Sequence, residues 1–227
     1  METQGKRAGK IRVSLIIAVL DSHEVVRRQL EHFNQVVPQG VEVIIMDDGS
    51  DPPLGGVSSI KYQLRIIRTD DDRPWSQPCA RNAGAKIALG EYLFMTDIDH
   101  IISHAAFKAA MAFEGDKMVF PRTWGMIDHK YRVRTDPSVL STYGLINGKG
   151  GGSHANTFVM RKSIFEELGG YDEKFCGKYG GDDTDFAGRY GKHHYAGNCE
   201  RSVLGPPIYV YPEPRQDVKK IFHSLRR

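Results

Sequence analysis

Long hydrophobic runs are missing from this sequence. The longest, residues 13–20, is broken by Ser14 and has the length of a strand, whereas a membrane-crossing helix needs about 18 consecutive apolar residues. Residues 1–10 are polar, which fits neither a signal peptide nor an anchor. Cysteine is scarce. Cys79, Cys176 and Cys199 form an odd, widely spaced set, which predicts no disulfide framework and a reducing, cytoplasmic setting. A zinc site from Cys176, His193, His194 and Cys199 lacks the paired Cys-x-x-Cys spacing such sites use. A strong charge of one sign is missing too, since the net charge is +3. There is no internal repeat, and no low-complexity tract beyond the glycine-rich residues 147–152.

What is present describes a globular protein. Apolar residues make up 40% and charged residues 26% of 227 positions, enough for one large domain or two merged halves with a sizeable core. The small net charge is unevenly spread. Basic residues gather in residues 1–12, in 121–134 (Arg122, Lys130, Arg132, Arg134) and in 215–227 (Arg215, Lys219, Lys220, Arg226, Arg227). Acids gather at Asp47-Asp48, at 70–72, at Asp97 and Asp99, and at 182–185. Solvated loops account for such a spread, and so does attraction to a polyanionic acceptor.

Hydrophobic periodicity predicts buried strands over residues 11–19 and 41–46, a short strand over 63–68, and another over 92–95. Asp21-Ser22 offers a cap for a helix in which Val25, Val26, Gln29, Leu30 and Phe33 keep a helical spacing. Pro78 opens a helix that runs through Ala88 and stops at Gly90. A helix over 103–113 follows. The second half is less regular, with strands expected over 118–120, 156–160 and 208–211 and helices over 162–168 and 182–189. This order implies an open, mostly parallel sheet flanked by helices. In such sheets ligands bind beyond the carboxyl ends of the strands, and both Asp47-Asp48 and Asp97-Ile98-Asp99 fall there.

Four motifs carry chemistry. Two carboxylates one residue apart, just past a strand, can share one hard cation with phosphate oxygens; Asp97-Ile98-Asp99 alone also fits a solvated turn. Asp47-Asp48-Gly49-Ser50 can accept from a base N–H or a ribose hydroxyl, or simply form an Asx turn. Ala80-Arg81-Asn82-Ala83-Gly84 lies in the first turns of a helix, where N–H groups and a cation favour phosphate; ordinary helix packing is the alternative. Gly180-Gly181-Asp182-Asp183 places acids at a helix start, as a dipole partner or as a general base.

Taken in chain order with Val13-Ser14-Leu15-Ile16-Ile17 before them, the four motifs over residues 13–189 resemble the GT-A glycosyltransferases of family 2. Leu168-Gly169-Gly170-Tyr171-Asp172-Glu173 belongs to the same likeness. Residues 180–183 are also similar to the Gly-Gly-Glu-Asp stretch of β-1,4-galactosyltransferases and chondroitin polymerases. The resemblance implies a Rossmann-like α/β domain with a smaller acceptor-side portion: a flexible 1–10, a nucleotide-sugar half at 11–115, an acceptor and catalytic-base half at 116–200, and a basic segment at 201–227. It implies an inverting transfer from a nucleoside-diphosphate sugar, typically of UDP, with Mn2+ or Mg2+. Asp48 would contact the base, Asp97 the ribose and metal, and Asp99 the metal directly. Arg81 would assist near the nucleotide, Asp183 would be the catalytic base, and Asp182 would bind hydroxyls. The family's downstream metal-binding histidine has His193, His194 and His223 as candidates. Trp124 and the Gly150–Gly152 loop with His154 would line the acceptor site. The acceptor is a glycan or DNA carrying hydroxymethylated bases. Competing readings are a nucleotidyltransferase, which ordinarily needs a glycine- and lysine-bearing loop that Val19-Leu20-Asp21-Ser22 does not offer, and an inactive sugar- or nucleotide-binding module.

Overall fold

The computed structural model describes residues 10–210 apart from 57, 60, 70, 72 and 137–151. Its centre is a seven-stranded sheet. Strands β1 (Val13–Val19), β2 (Val41–Asp47) and β4 (Tyr92–Thr96) are buried at every position. That is why they read as continuous apolar runs rather than alternating ones. Around them lie β3 (Gln63–Arg68), β6 (Lys117–Val119), β10 (Phe158–Arg161) and β11 (Val203–Leu204). The order is β11-β6-β10-β4-β1-β2-β3. β1 runs parallel to β2 and β4, and β2 to β3. β10 alone is inserted antiparallel, between β4 and β6.

Successive residues of a strand face opposite sides, so the sheet builds two cores. Val13, Leu15, Ile17 and Val19 pack under α1 (His23–Val36) and α3 (His104–Ala112), against Leu30, Phe33 and Phe107. Ile16, Ala18, Ile44 and Met46 face α2 (Gln77–Ile87), α4 (Lys162–Glu167) and α5 (Asp182–Tyr195), against Ala80, Phe165 and Phe186. The register pairs Val19 with Asp47 and Ile17 with Thr96. The loops carrying Asp48 and Asp97 therefore leave the same edge of the sheet.

The expected mostly parallel sheet flanked by helices is present, and the element boundaries move by a few residues. The last helix continues to Tyr195, past the expected 189. A second sheet, β5 (His100–Ile101), β12 (Ile208–Val210) and β7 (Arg122–Trp124), joins parts of the chain far apart in sequence. The hairpin of β8 (Met126–Ile127) and β9 (Val133–Arg134) follows β7. Strands of two or three residues are too short to show a period.

Two expectations need correction. Ser22 occupies the N-cap of α1 but makes no cap bond; its hydroxyl donates to the Leu20 carbonyl. Asp21 instead ties loops together, accepting from the Asp51 amide at 2.9 Å while its own amide donates to Ser50 Oγ. The cysteines are not all free: Cys79 and Cys176 form a disulfide across 97 positions. Sequence spacing cannot show a pairing that the start of α2 and a distant turn create by packing together. The cysteine-based ground for a reducing, cytoplasmic setting falls with it. Cys176 is thereby lost to any zinc site. Among the described residues, no helix is long and apolar enough to cross a membrane.

Two helical glycines test the packing. A Cβ at Gly84 would lie 2.7 Å from Ile16 Cγ2 and 3.1 Å from Met46 Cγ, both in buried strands. A Cβ at Gly191, in α5, would meet nothing within 4 Å. In urea melts, Gly84→Ala is expected to lower stability by about 1–3 kcal/mol and Gly191→Ala to raise it by about 0.5–1 kcal/mol. Equal effects at the two sites would contradict the close approach of α2 to the sheet.

Candidate active site

The two acids that end β2 have different duties. Asp47 organises its own loop, accepting from the amides of Ser50 and Leu54 at 2.9 Å each and facing Arg68 at 3.5 Å. Gly49 turns that loop with a left-handed φ of 95°. Asp48 points elsewhere. Its Oδ2 accepts from the Ser76 amide at 2.9 Å and its Oδ1 from Thr69 Oγ1 at 3.3 Å. Burial, opposed by these bonds, pushes its pKa up to about 6.

Arg81 joins the halves of the chain. It lies in α2 with 0% exposure. Nη2 donates to Asp97 Oδ1, just past β4, and Nη1 lies 3.5 Å from Asp182 Oδ2, the first residue of α5. The guanidinium carbon sits 5.5 Å from the centre of the Tyr171 ring. A buried cation persists only where carboxylates neutralise it. Burial is also the leading reason that Asp182 has a raised pKa, against the pull of Arg81. Sequence analysis expects Arg81 near the nucleotide; the structure places its charged end between two carboxylates.

The approach to Asp182 depends on backbone conformation. Gly180 and Gly181 take left-handed φ values of 85° and 92°, which favour glycine. A Cβ on Gly181 would also lie 2.9 Å from the Phe175 ring. Asp183 follows, half-buried, accepting from the Thr184 amide at 2.7 Å. Its charge acts on Arg81 together with those of Asp97 and Asp182.

A third group lies on the other side of Asp97. Potential ligand atoms of Asp97, His100 and His154 all fall within 4.8 Å of one another. His100 starts β5, is 1% exposed, and its Nδ1 pairs with Thr157 Oγ1 at 2.6 Å. Thr157 in turn meets Thr96 Oγ1 at 3.2 Å. This fixes the imidazole orientation, as a supporting shell does for a metal ligand. His154 Nδ1 is 3.3 Å from Asp97 Oδ2 and faces the Asn156 amide at 3.2 Å. One carboxylate and two imidazoles thus gather where a divalent cation could be held.

The remaining expected residues scatter. Asp99 is half-buried in the turn between β4 and β5; it acts electrostatically on His100 but stands outside the three-residue group. Trp124 is half-buried in β7, paired with Val210 in the small sheet that also carries His100. His154, expected on the acceptor side, sits against Asp97. His193 and His194 occupy the end of α5, facing Glu167 and the Cys199 carbonyl. His223, Gly150 and Gly151 lie outside the described residues. Sequence reasoning passed over His100 and Thr157. The one signal for His100 is that it directly follows Asp99.

Arg81→Met would leave Asp97 and Asp182 without their shared buried partner. Urea melts at neutral pH are expected to show a loss of about 3–5 kcal/mol. Arg81→Lys should recover only part of it, because one ammonium cannot span both carboxylates as the fork does. Near wild-type stability in the Met variant would remove Arg81 from this role.

Comparison with known proteins agrees with this architecture. Residues 14–119 match the family model described as Glycosyltransferase like family 2. Glycosyltransferase GlyG of Streptococcus pneumoniae serotype 4 is 24% identical over 94 residues, which is 40% of this chain and 31% of GlyG. The crystal structure of S. aureus TarS 1–349 superposes with a TM-score of 0.62 at 15% identity, covering 95% of this chain and 64% of that one. The TarS 1–349 complex with UDP-GlcNAc gives 0.61 at 15% identity, covering 90% and 59%. The chain thus spans less than two thirds of the relatives it matches. Residues 14–119 are thus similar to the glycosyltransferase family 2-like model, and the whole chain has the GT-A fold of the structures it superposes on.

Proposed function

We propose that this chain transfers a sugar from a nucleoside-diphosphate donor, of the UDP class, to an acceptor hydroxyl with inversion at the anomeric carbon. The observation that carries the reading is the bridge made by Arg81, which holds the strand-end acid Asp97 and the helix-start acid Asp182 at one edge of the sheet. The bound UDP-GlcNAc of the TarS complex supports the donor class. Asp48, ionised, accepts from the base. Asp183 accepts the proton of the acceptor hydroxyl as its oxygen attacks the anomeric carbon and the bond to the diphosphate oxygen breaks. Asp182 orients hydroxyls while Arg81 fixes its carboxylate. Asp97, with His100, His154 and Asp99 around it, would hold a divalent cation. Such an ion, when bound, neutralises the charge that gathers on the departing diphosphate. Trp124 would flank the acceptor.

The reading is tested by nucleoside-diphosphate release across a donor panel, with and without Mn2+. Asp183→Asn is expected to lower turnover by about 10²–10⁴-fold while UDP binding by calorimetry stays within about twofold. Unchanged turnover would reject the mechanism. A glycan hydroxyl and a hydroxymethylated base in DNA both supply the attacking oxygen. Salt-sensitive retention on DNA, weakened when Lys219, Lys220, Arg226 and Arg227 are neutralised, would select the second; salt-independent or absent retention would select the first.

The raised pKa of Asp48 gives a separate pH test. Its folded value of about 6 lies above the reference of 3.8, so the folded chain keeps a proton that the unfolded chain releases. The stability this contributes is complete below pH about 4 and lost as pH rises through about 6, an effect on the order of 3 kcal/mol. UDP affinity should move the opposite way, strengthening as pH rises through about 6 because the base donor needs an ionised acceptor. Asp48→Asn should flatten both profiles. Persistence of either trend in that variant would assign it to another group.

A further inference from the structure

We propose that the Cys79–Cys176 cystine is a thiol–disulfide exchange site whose closure holds the catalytic-base segment in place. The proposal rests on the reading of Asp182 and Asp183 given above. Three ties join the start of α2 to residues 171–179. Asn82 exchanges two hydrogen bonds with the Tyr171 backbone, at 2.9 Å each. The Gly177 amide donates to the Trp75 carbonyl at 2.9 Å, and the Trp75 and Tyr179 rings meet edge to face, 4.8 Å between centres. The cystine is the middle tie and the covalent one. Beyond it the chain runs through Gly177, Gly180 and Gly181, all left-handed, to Asp182. Glycines give this stretch little rigidity of its own. On the other side, Cys79 lies one short step before Arg81 on the same helix. The bond therefore joins α2, which carries Arg81, to the turn that leads into Asp182.

The surroundings of Cys79 favour its reduced form as a thiolate. It is the third residue of α2, behind Pro78, where the unpaired helix amides favour negative charge. Arg73 Nη2 lies 3.3 Å from its sulfur. Asp71 has a carboxylate oxygen within 4.8 Å of both sulfurs, but Arg73 also neutralises it, through contacts of 2.8 and 2.5 Å. Cys79 is half-buried while Cys176 is only 7% exposed. An incoming dithiol therefore reaches the Cys79 sulfur first. In the full exchange the dithiol loses two electrons and becomes a cyclic disulfide. The cystine gains them and becomes one thiol and one thiolate, and one proton goes to solvent. A stabilised thiolate draws the equilibrium toward reduction.

The test uses the full chain purified without reductant and then treated with dithiothreitol. Thiol titration should rise from one group, Cys199, to three. Hydrogen exchange should quicken over residues 173–181 and stay unchanged in β1, β2 and β4. UDP-sugar turnover should fall about tenfold or more, as misplacement of a reacting group implies, and return on reoxidation. The Cys79→Ser, Cys176→Ser double variant should ignore the reductant, and Arg73→Met should need more reductant to open the bond. Three reactive thiols before treatment, or identical exchange in both states, would overturn the proposal. So would zinc bound stoichiometrically at Asp71, Cys79 and Cys176 in the purified protein. Absence of turnover in both states would count against the glycosyl-transfer reading, while the exchange data still decide for or against the cystine.

Discussion

A guanidinium with no exposure to water sets the terms for much of this molecule. Moving a charge of that kind out of solvent costs several kcal/mol even after relaxation, so Arg81 must find anions wherever α2 places it. It finds Asp97 and Asp182, which belong to different halves of the chain, and the face of Tyr171. Because neither carboxylate can leave without exposing the cost, the end of β4 and the start of α5 are held at one distance from each other. The Tyr171 ring completes the enclosure, and its hydroxyl donates to Asn156 Oδ1 at 3.1 Å, close in sequence to His154 and Thr157. One buried charge thus ties together the strand-end acids, the helix that starts with Asp182 and Asp183, and the histidine group.

The sheet explains why such a charge can be tolerated at its edge. β1 and β2 spend all their residues on burial, so their polar neighbours are expelled to the loops at the carboxyl ends. The register between β1, β2 and β4 brings those ends level. Asp47 then turns one loop back on itself, and Asp48 is left facing inward, with burial raising its pKa. Adjacent carboxylates in one dipeptide come to differ because Asp47 accepts from amides of its own loop while Asp48 accepts from Thr69 and Ser76 in the next one.

Long apolar runs made β1, β2, β4 and the helices around them readable from the sequence, since burial on both faces leaves no other use for such segments. The candidate carboxylates were readable for the same reason: polar residues directly after a buried strand must emerge at its end. What escaped is what depends on distant partners. β5 and β7 are two or three residues long and exist because they pair with β12, itself expected over 208–211, across the chain. His100 and His154 meet Asp97 only through that small sheet and the Thr96–Thr157 contact. Cys79 and Cys176 meet because α2 packs on residues 171–179, and no spacing rule encodes that. Arg81 was visible as a cation near a helix start, but its burial, which decides what it does, was not.

The balance of charge leads to a last consequence. Asp97, Asp182 and Asp183 all act on Arg81, and so does Asp48. Among these groups four carboxylates surround one guanidinium that is already committed to two of them. A diphosphate arriving at this edge would add more negative charge to a region of low dielectric, where repulsion at about 4 Å is several kcal/mol even at an effective dielectric of about 20. Partial protonation of Asp48 near pH 6 relieves little of it, since that same carboxylate must be ionised to accept from a base. The nucleotide entry proposed above would be favoured by further positive charge close to Asp97. The cluster of Asp97, His100 and His154, whose ligand atoms lie within 4.8 Å of one another, is where a small cation would gain most. The proposed cation thus has a ground in the surplus of acids that the fold collects at one edge, separate from any family likeness.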